Sequence, residues 1–281
     1  SRPAPCPPVA ERPREISVTA VDTLSADPFA FYAKAMLGLH ALEPVDADPG
    51  PAWRGSLIHS VLERWAKDDD YLPGALVESV NNALSDGTIH PLIRALWLPR
   101  FSEAAEWIEQ SIAANRAEGR LPLVAEEFGK GSLAGVSISG IADRIDRMPD
   151  GSLAVVDYKT GGGPTNKQIK AGFAMQLGLI GLIAEQGGFK GVDGKGGAFE
   201  YWSLDRDSKT RQYGRITSPV TGNSAVSAPE EFVEFIAKKF QAAAEKWLTG
   251  NEPFKAKISP EYAWADYDQL MRLEEWQGRD G

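Results

Sequence analysis

Residues 140–161 read GIADRIDRMPDGSLAVVDYKTG, two alternating apolar and polar stretches separated by Pro149-Asp150-Gly151. Alternation with a period of two is typical of β-strands, and a short loop containing glycine joins such strands into an antiparallel hairpin. If the loop has three residues and Gly151 adopts the left-handed conformation, Met148 pairs with Ser152. This stretch therefore predicts a β-hairpin with a defined register.

The register decides which side chains of the hairpin meet. A three-residue loop places Asp143 directly opposite Asp157, and like charges at opposed positions destabilise a sheet. We therefore expect a positive group between the two carboxylates. A two-residue loop at Asp150-Gly151 would shift the register by one residue and put the two aspartates on opposite faces.

Lys159 lies two residues beyond Asp157 and is expected to project toward the same point. A divalent cation together with this ammonium would offset the repulsion, and Mg²⁺ takes one or two carboxylates plus a substrate phosphate. We interpret the cluster as a phosphodiester site in which the metal activates water, while Lys159 positions the water or stabilises the transition state. The alternative is that Asp143 and Asp157 are exposed strand residues in salt bridges to Arg144, Lys159 or Arg147.

The rest of the chain surrounds this hairpin with helical patterns. Residues 1–15 are rich in proline and predict a disordered linker, residues 16–255 a main domain, and residues 256–281 a segment that packs on it. Apolar spacing predicts two short helices split at Asp27-Pro28, then helices near residues 51–67, 73–85, 92–117, 165–186 and 228–249. The expected strands form a three-stranded antiparallel meander from Leu121, with breaks at Gly129–Gly131 and Pro149–Gly151, and a pair near 198–204 and 211–217. This order predicts an α/β fold with a central mixed β-sheet, flanked by helices, and a helical N-terminal part.

Composition limits the kinds of protein that the chain can be. Cys6 is the only cysteine, which excludes an internal disulfide and an iron-sulfur or zinc site built mainly from thiolates. No apolar run approaches the length needed to cross a bilayer, so we expect no membrane partner and a cytoplasmic protein. The net charge of −9 argues against a free-standing DNA binder. The chain begins at Ser1 without methionine, and we interpret it as a piece of a longer polypeptide.

The hairpin resembles the core of the RecB-like nucleases of the PD-(D/E)xK superfamily. In that family one aspartate precedes a hairpin turn and a D-Y-K triplet ends the next strand, here Asp143 and residues 157–159. The resemblance implies a restriction-endonuclease-like core and a Mg²⁺-dependent deoxyribonuclease, in which Mn²⁺ substitutes. It also implies that Asp143 and Asp157 bind the metal together with the backbone carbonyl of Tyr158, whose ring packs on the opposite side of the sheet.

Two further motifs of this family have counterparts in the chain. Gly55-Ser56-Leu57-Ile58-His59 is similar to the G-x-x-x-H helix motif, whose histidine is a metal ligand. We expect the glycine to allow close approach of the sheet; without the motif, His59 would read as a helix-surface or capping histidine. Gln176 is similar to the first residue of the Q-x-x-x-Y motif, although Ile180 replaces the tyrosine, which puts the DNA contact of that position in doubt. Gln176 is expected to orient the substrate or Lys159, or to bond only within its helix.

Longer stretches carry a second resemblance: ISVTAVDTLSADPFAFYAKAMLGL at residues 16–39, DADPGPAWRGSLIHSVLE at 46–63, and KQIKAGFAMQLGL at 167–179 followed by FEYWSL at 199–204. Together they resemble the nuclease region of the AddB family, over nearly all of residues 16–280. In that family the subunit works with an AddA-type helicase on broken DNA ends during recombinational repair, so DNA with single-stranded ends and a helicase subunit are the implied partners. Many relatives carry an iron-sulfur cluster on cysteines of their C-terminal segment, and this chain has none there. The segment is expected to pack without a cluster, through Trp264, Tyr267, Leu270 and Trp276.

Four other charged residues are candidates with open alternatives. Glu126 and Glu127 precede the hairpin, where relatives carry an acidic residue near the metal, and either is a ligand or an ordinary strand charge. Lys167 and Lys170 follow the loop at Gly161–Pro164 and either contact substrate phosphates or only solvate the start of a helix. His40 and His90 have no supporting motif.

Overall fold

The predicted hairpin is present in the computed structural model with the loop and register that the sequence indicates. Met148 N donates to the carbonyl oxygen of Ser152 at 2.9 Å, and Gly151 has a φ of +85°. Arg144 then pairs with Val156, and continuing the register places Asp143 opposite Asp157. The two-residue alternative is excluded. The structure describes residues 2–40, 50–85, 89–208, 210–263 and 265–276.

The described elements follow the predicted order. The helices are α1 (Val18–Ala26), α2 (Pro28–Ala35), α3 (Pro51–Lys67), α4 (Ala75–Leu84), α5 (Pro91–Ala117), α6 (Asn166–Ala171), α7 (Gln176–Glu185), α8 (Pro229–Trp247) and α9 (Leu273–Trp276). The strands are β1 (Glu15–Ser17), β2 (Leu121–Leu133), β3 (Val136–Arg147), β4 (Leu153–Lys159), β5 (Gly196–Arg206) and β6 (Tyr213–Thr217).

The strands form one mixed sheet in the order β1-β3-β4-β5-β6. β1 and β4 pair with the two ends of one edge of β3, and β2 pairs along its other edge. The pairs β1–β3 and β4–β5 are parallel, whereas β2–β3, β3–β4 and β5–β6 are antiparallel. One apolar cluster joins the sheet to α1, α7 and α8, and a second joins it to α3, α4 and α5. The predicted α/β fold, with a mixed sheet containing an antiparallel meander and flanked by helices, is confirmed.

Two predicted element boundaries differ in the structure. β2 runs without interruption through Gly129–Gly131, because these glycines make room for neighbours rather than a turn: a Cβ on Gly129 would lie 2.4 Å from the Phe189 ring. The turn falls at Ala134-Gly135, both with positive φ, as two-residue hairpin loops require. The helix expected over 165–186 is two helices, since Gly172 ends α6 in the left-handed conformation.

Residues 2–15 are packed, unlike the disordered linker that their composition predicts. Phe254 N donates to Pro5 O at 2.8 Å, and Ala256 N donates to Pro3 O at 3.0 Å. The buried guanidinium of Arg12 donates to the carbonyl oxygens of Trp247 and Glu252 at 3.0 and 2.8 Å. Prolines keep their carbonyl acceptors, so an extended proline-rich segment is held by donors from another part of the chain.

The C-terminal segment packs against α2 through an apolar cluster. Trp276 and Met271 are buried there with Phe29, and Tyr267 packs against the same cluster. Leu270, which was also expected to pack here, is not part of this cluster, and its side chain is 48% exposed. Trp264, also expected to pack, lies outside the described residues.

A methyl group added at Gly178 on α7 is expected to destabilise the fold. An ideal Cβ there would lie 2.5 Å from Cγ1 of the fully buried Ile236 on α8, whereas a Cβ at Gly55 on α3 meets nothing within 4 Å. Both Gly→Ala substitutions gain the same helix propensity, so their difference isolates the clash. The free energy of unfolding of Gly178→Ala should be about 1–3 kcal/mol below that of Gly55→Ala in urea titrations. Equal values would contradict the α7–α8 packing.

Candidate active site

Asp143 lies where the ladder between β3 and β4 ends. The last regular pair is Arg144 with Val156, and beyond it Oδ2 of Asp143 accepts a hydrogen bond from Tyr158 N at 2.7 Å. The carboxylate thus takes the place of a backbone acceptor, which fixes its position. Its side chain is buried, and Oδ1 remains for another partner.

His59 on α3 reaches this carboxylate from the next layer. Its Nδ1 lies 2.7 Å from Oε1 of Glu126 and 3.7 Å from Oδ1 of Asp143. One ligand atom from each of the three residues lies within 4.8 Å of the others. Imidazole nitrogen and carboxylate oxygens at this spacing form a donor set for one divalent cation.

Glu126 reaches the cluster through an unusual backbone conformation. Its φ is +44° within β2, a left-handed value that non-glycine residues rarely adopt and that is found at functional sites. Lys67 Nζ donates to the Glu126 carbonyl oxygen at 3.1 Å. Of the two glutamates proposed from the sequence, the structure brings Glu126 to the cluster, whereas Glu127 pairs opposite Ala142.

Asp157 and Lys159 complete the cluster from β4. Lys159 Nζ lies 2.7 Å from Oδ2 of the buried Asp157 and donates to Oε1 of Gln176 at 3.4 Å. Apart from this ammonium, Asp157 Oδ2 has no hydrogen-bond partner within the described part of the chain. A buried carboxylate oxygen with spare acceptor capacity fits a cation ligand.

Burial and neighbouring charges shift the pKa values of the cluster residues strongly. Burial, and then the nearby charge of Asp157, raise the pKa of Asp143 to about 8. Burial also raises the pKa of Asp157, against the effect of Lys159. Burial lowers the pKa of His59, but its hydrogen bond to Glu126 and the charge of Asp143 prevail and raise that pKa to about 9. The protein thus holds acidic groups where burial and mutual repulsion between carboxylates resist their ionisation. A divalent cation would offset this repulsion.

The sequence of this chain matches the PD-(D/E)XK nuclease superfamily over residues 15–261. The chain belongs to the PD-(D/E)XK nuclease superfamily. The predicted resemblance to this superfamily and its restriction-endonuclease-like fold is therefore confirmed.

Individual relatives align with part of this chain. An uncharacterized protein of Rickettsia conorii is 31% identical over 197 residues, which cover 63% of this chain and 23% of that protein. A Streptococcus agalactiae protein, named as one of the subunits of an ATP-dependent helicase/deoxyribonuclease, is 28% identical over 156 residues, covering 53% of this chain and 14% of that protein. This superfamily member thus spans less than a quarter of the length of these curated relatives.

A solved structure from Eubacterium rectale shares the fold. That protein, which carries a provisional exonuclease name, aligns with a TM-score of 0.50 at 14% identity, covering 87% of this chain and 85% of that one. Among the described residues of this nuclease-superfamily chain, no helix has the length and apolar content needed to span a bilayer.

The remaining predicted residues of this PD-(D/E)XK chain differ in their placement. The ring of Tyr158 packs on the α3–α5 side against Trp202, with ring centroids 5.9 Å apart, and its hydroxyl accepts from Arg144. Lys167 and Lys170 are exposed on α6; neither lines the groove that contains Lys159. Their predicted contacts with phosphate remain predictions.

The expectation that Gly55 allows close approach of the sheet is wrong. A Cβ at this position would meet nothing within 4 Å. Helix α3 approaches the sheet through its buried residues Ile58, Val61 and Leu62 instead. The spacing of Gly55 and His59 therefore indicated a histidine that lies in the cluster. The physical reason proposed for the glycine does not hold.

One acidic residue beside the site carried no signal in the sequence. Asp22 on α1 lines the same groove as Lys159 and Gln176, which has a volume of about 760 Å³. Its Oδ1 accepts from Met175 N at 2.6 Å, immediately before Gln176 at the start of α7. Burial raises the pKa of Asp22 to about 6, against this hydrogen bond and the charge of Lys159. Only the tertiary packing of α1 against α7 brings it there.

Proposed function

We propose that this chain is a Mg²⁺-dependent deoxyribonuclease domain that hydrolyses phosphodiester bonds. One observation carries the proposal: His59, Glu126, Asp143 and Asp157 converge from separate elements beside the ammonium of Lys159. The three carboxylates are hard oxygen donors of the kind that Mg²⁺ takes, with Mn²⁺ as a substitute, and the imidazole adds one nitrogen donor of intermediate softness. We propose no iron-sulfur cluster, because the chain has a single cysteine, Cys6.

The proposed metal ligands are the side chains of His59, Glu126, Asp143 and Asp157, with the backbone carbonyl of Tyr158. A divalent cation bound there supplies Lewis-acid stabilisation of the charge that develops on the phosphate during hydrolysis. The hydrogen bond from Tyr158 N keeps the Asp143 carboxylate oriented before any ligand arrives.

Lys159 and Gln176 act on the substrate side of the proposed site. Asp157 and Gln176 hold the Lys159 ammonium at 2.7 and 3.4 Å, so its charge is available to a phosphate entering the groove. An ammonium held in this way stabilises the additional negative charge of the transition state. Lys167 and Lys170 on exposed α6 are proposed to contact the phosphate backbone farther from the cut.

The proposed substrate and partner follow from the relatives. The Streptococcus relative belongs by name to an ATP-dependent helicase/deoxyribonuclease, and we propose that this chain cuts DNA ends beside an AddA-type helicase in the cytoplasm during recombinational repair. A helicase partner would supply the basic DNA track that a chain of net charge −9 lacks overall.

The proposal is tested with purified chain and linear DNA that carries a fluorescent label at one end, in single-stranded and double-stranded form. We expect shortened products with Mg²⁺ or Mn²⁺ and intact DNA with EDTA, because phosphate charge stabilisation requires the cation. DNA that stays intact with both metals would contradict nuclease activity in this chain.

The acidic surface favours a second candidate, a nuclease-fold module retained for DNA binding or assembly without catalysis. Titration calorimetry with Mn²⁺ separates the two candidates. A nuclease site should bind Mn²⁺ at millimolar concentration or below, and the His59→Ala variant should weaken that binding. A degenerate module should bind no metal.

A further inference from the structure

The β2–β3 hairpin has one packed face and one open face. We call the open side the hairpin face and define it by three cross-strand pairs: Phe128 with Ile141, Lys130 with Ser139, and Ser132 with Ser137.

The opposite side of this hairpin is fully occupied. A Cβ on Gly129 would meet Phe189, and one on Gly131 would meet Gln186, while Val136 and Ile138 are buried in the cluster around α1, α7 and α8. Because side chains alternate along a strand, the hairpin face points away from that cluster.

The hairpin face is continuous with the proposed active site. Phe128 follows Glu126 by two residues on β2, and Ile141 precedes Asp143 by two residues on β3. Two residues of strand span about 6.7 Å. The hairpin face therefore begins within two residues of the proposed ligands Glu126 and Asp143, on the side of the sheet from which His59 reaches them.

The chemistry of the hairpin face differs from that of the protein surface as a whole. Phe128 and Ile141 are 56% and 51% exposed, an apolar pair left open beside a charged cluster. Beyond this pair lie Lys130 and three serines, and none of the six residues is acidic in a chain of net charge −9. On the neighbouring strand β1, the acidic residue Glu15 pairs with Ser137, at the end of the hairpin face that is farthest from the proposed active site. Aromatic, basic and hydroxyl side chains in a row are suited to unpaired nucleotides.

We propose that the hairpin face binds an unpaired stretch of the DNA strand being cut, with one base stacked on Phe128 and the backbone contacted by Lys130 and Ser139. The proposal rests on the nuclease function proposed above and adds a binding subsite to it. A base inside a duplex is stacked between its neighbours and has no free face for Phe128, so this contact selects an unstacked base of single-stranded DNA beside the cut.

Binding by a fluorescent single-stranded oligonucleotide tests the subsite. The measurement uses the full chain carrying Asp157→Asn, so that the DNA stays intact, and follows fluorescence anisotropy. Adding Phe128→Ala should weaken binding about 5- to 150-fold, the range for loss of one base–aromatic stack. Phe128→Trp should restore it. The matched control is Leu121→Ala, a 54% exposed residue at the other end of β2, which should leave the affinity unchanged.

An oligonucleotide series with a single abasic position locates the stacked base. One abasic position should weaken binding to the chain that keeps Phe128. It should have no additional effect on binding to the Phe128→Ala variant, since both changes remove the same contact. Lys130→Gln should lower the slope of log affinity against log salt by about one. Affinity for single strands that stays within twofold in Phe128→Ala overturns the subsite, and leaves a protein partner as the occupant of the hairpin face.

The outcomes separate this inference from the proposed nuclease function. If the parent chain cuts DNA and Phe128→Ala binds and cuts equally well, the subsite fails and the nuclease stands. If the parent chain binds single strands through Phe128 but cuts nothing, the subsite stands and the nuclease fails.

Discussion

The Asp157→Asn substitution is expected to lower metal-dependent DNA cleavage at least about 1,000-fold. Asp157 is buried beside Asp143 and holds the Lys159 ammonium, so the amide removes a cation ligand and the anchor of Lys159 together. A bound metal contributes several kcal/mol to transition-state stabilisation, and each 1.4 kcal/mol is a factor of ten in rate. The measurement is the initial rate of product formation from end-labelled DNA at saturating Mg²⁺.

The same substitution should leave the fold intact. Asparagine keeps the shape of aspartate, and burial together with neighbouring carboxylates already opposes the charge of Asp157. The melting temperature of Asp157→Asn should therefore equal or exceed that of the parent. Asp70→Asn, with a side chain 96% exposed, is the control for loss of one carboxylate and should cut at the parent rate. Cleavage by Asp157→Asn at the parent rate would show that the assigned site is wrong.

Asp146→Asn is expected to lower the free energy of unfolding by about 3–5 kcal/mol, the cost of breaking a buried ion pair by removing one charge. Asp146 accepts from Arg144 Nε at 2.8 Å and from Arg120 Nε at 2.7 Å. Arg120 keeps Glu200 as a second partner, whereas Asp146 is the only carboxylate within 4.0 Å of Arg144 in the described part of the chain. Arginine stays protonated, so the substitution leaves an uncompensated charge on a fully buried side chain.

Urea unfolding of two further variants checks this explanation. Asp193→Asn removes an exposed partner of Arg147 and should cost less than about 1 kcal/mol. Asp146→Leu combined with Arg144→Met replaces the buried pair with apolar groups and should recover most of the loss. If Asp146→Asn costs no more than Asp193→Asn, the buried network does not stabilise the fold in the way described.

The candidate metal site shows which placements a single sequence predicts. Asp143, Asp157 and Lys159 are related by one local loop, so their meeting follows from the register of a hairpin. His59 was indicated by its motif, while the choice of Glu126 over Glu127 required its left-handed backbone at a φ of +44°. No local pattern predicts that conformation, because the surrounding packing imposes it.

Residues 2–15 are packed in the structure, whereas the composition of residues 1–15 predicts disorder. Their proline content indicated disorder, since such a segment cannot form its own helix or sheet hydrogen bonds. In the structure the carbonyl oxygens of Pro3 and Pro5 accept from Ala256 N and Phe254 N, more than 200 residues away, and Arg12 is buried against Trp247 and Glu252. Composition reports what a segment can do alone and carries no information on partners supplied by distant parts of the chain.

The amino-acid sequence by itself determined the order of the helices and period-two strands and the three-residue loop at Pro149–Gly151, because each depends on contacts between residues close in the chain. The tertiary structure alone decided that Asp22 lines the groove, that Gly178 packs closely against Ile236, and that Phe128 is exposed beside the acidic cluster. Those placements depend on how whole elements pack, and packing is a sum over distant side chains that no local pattern contains.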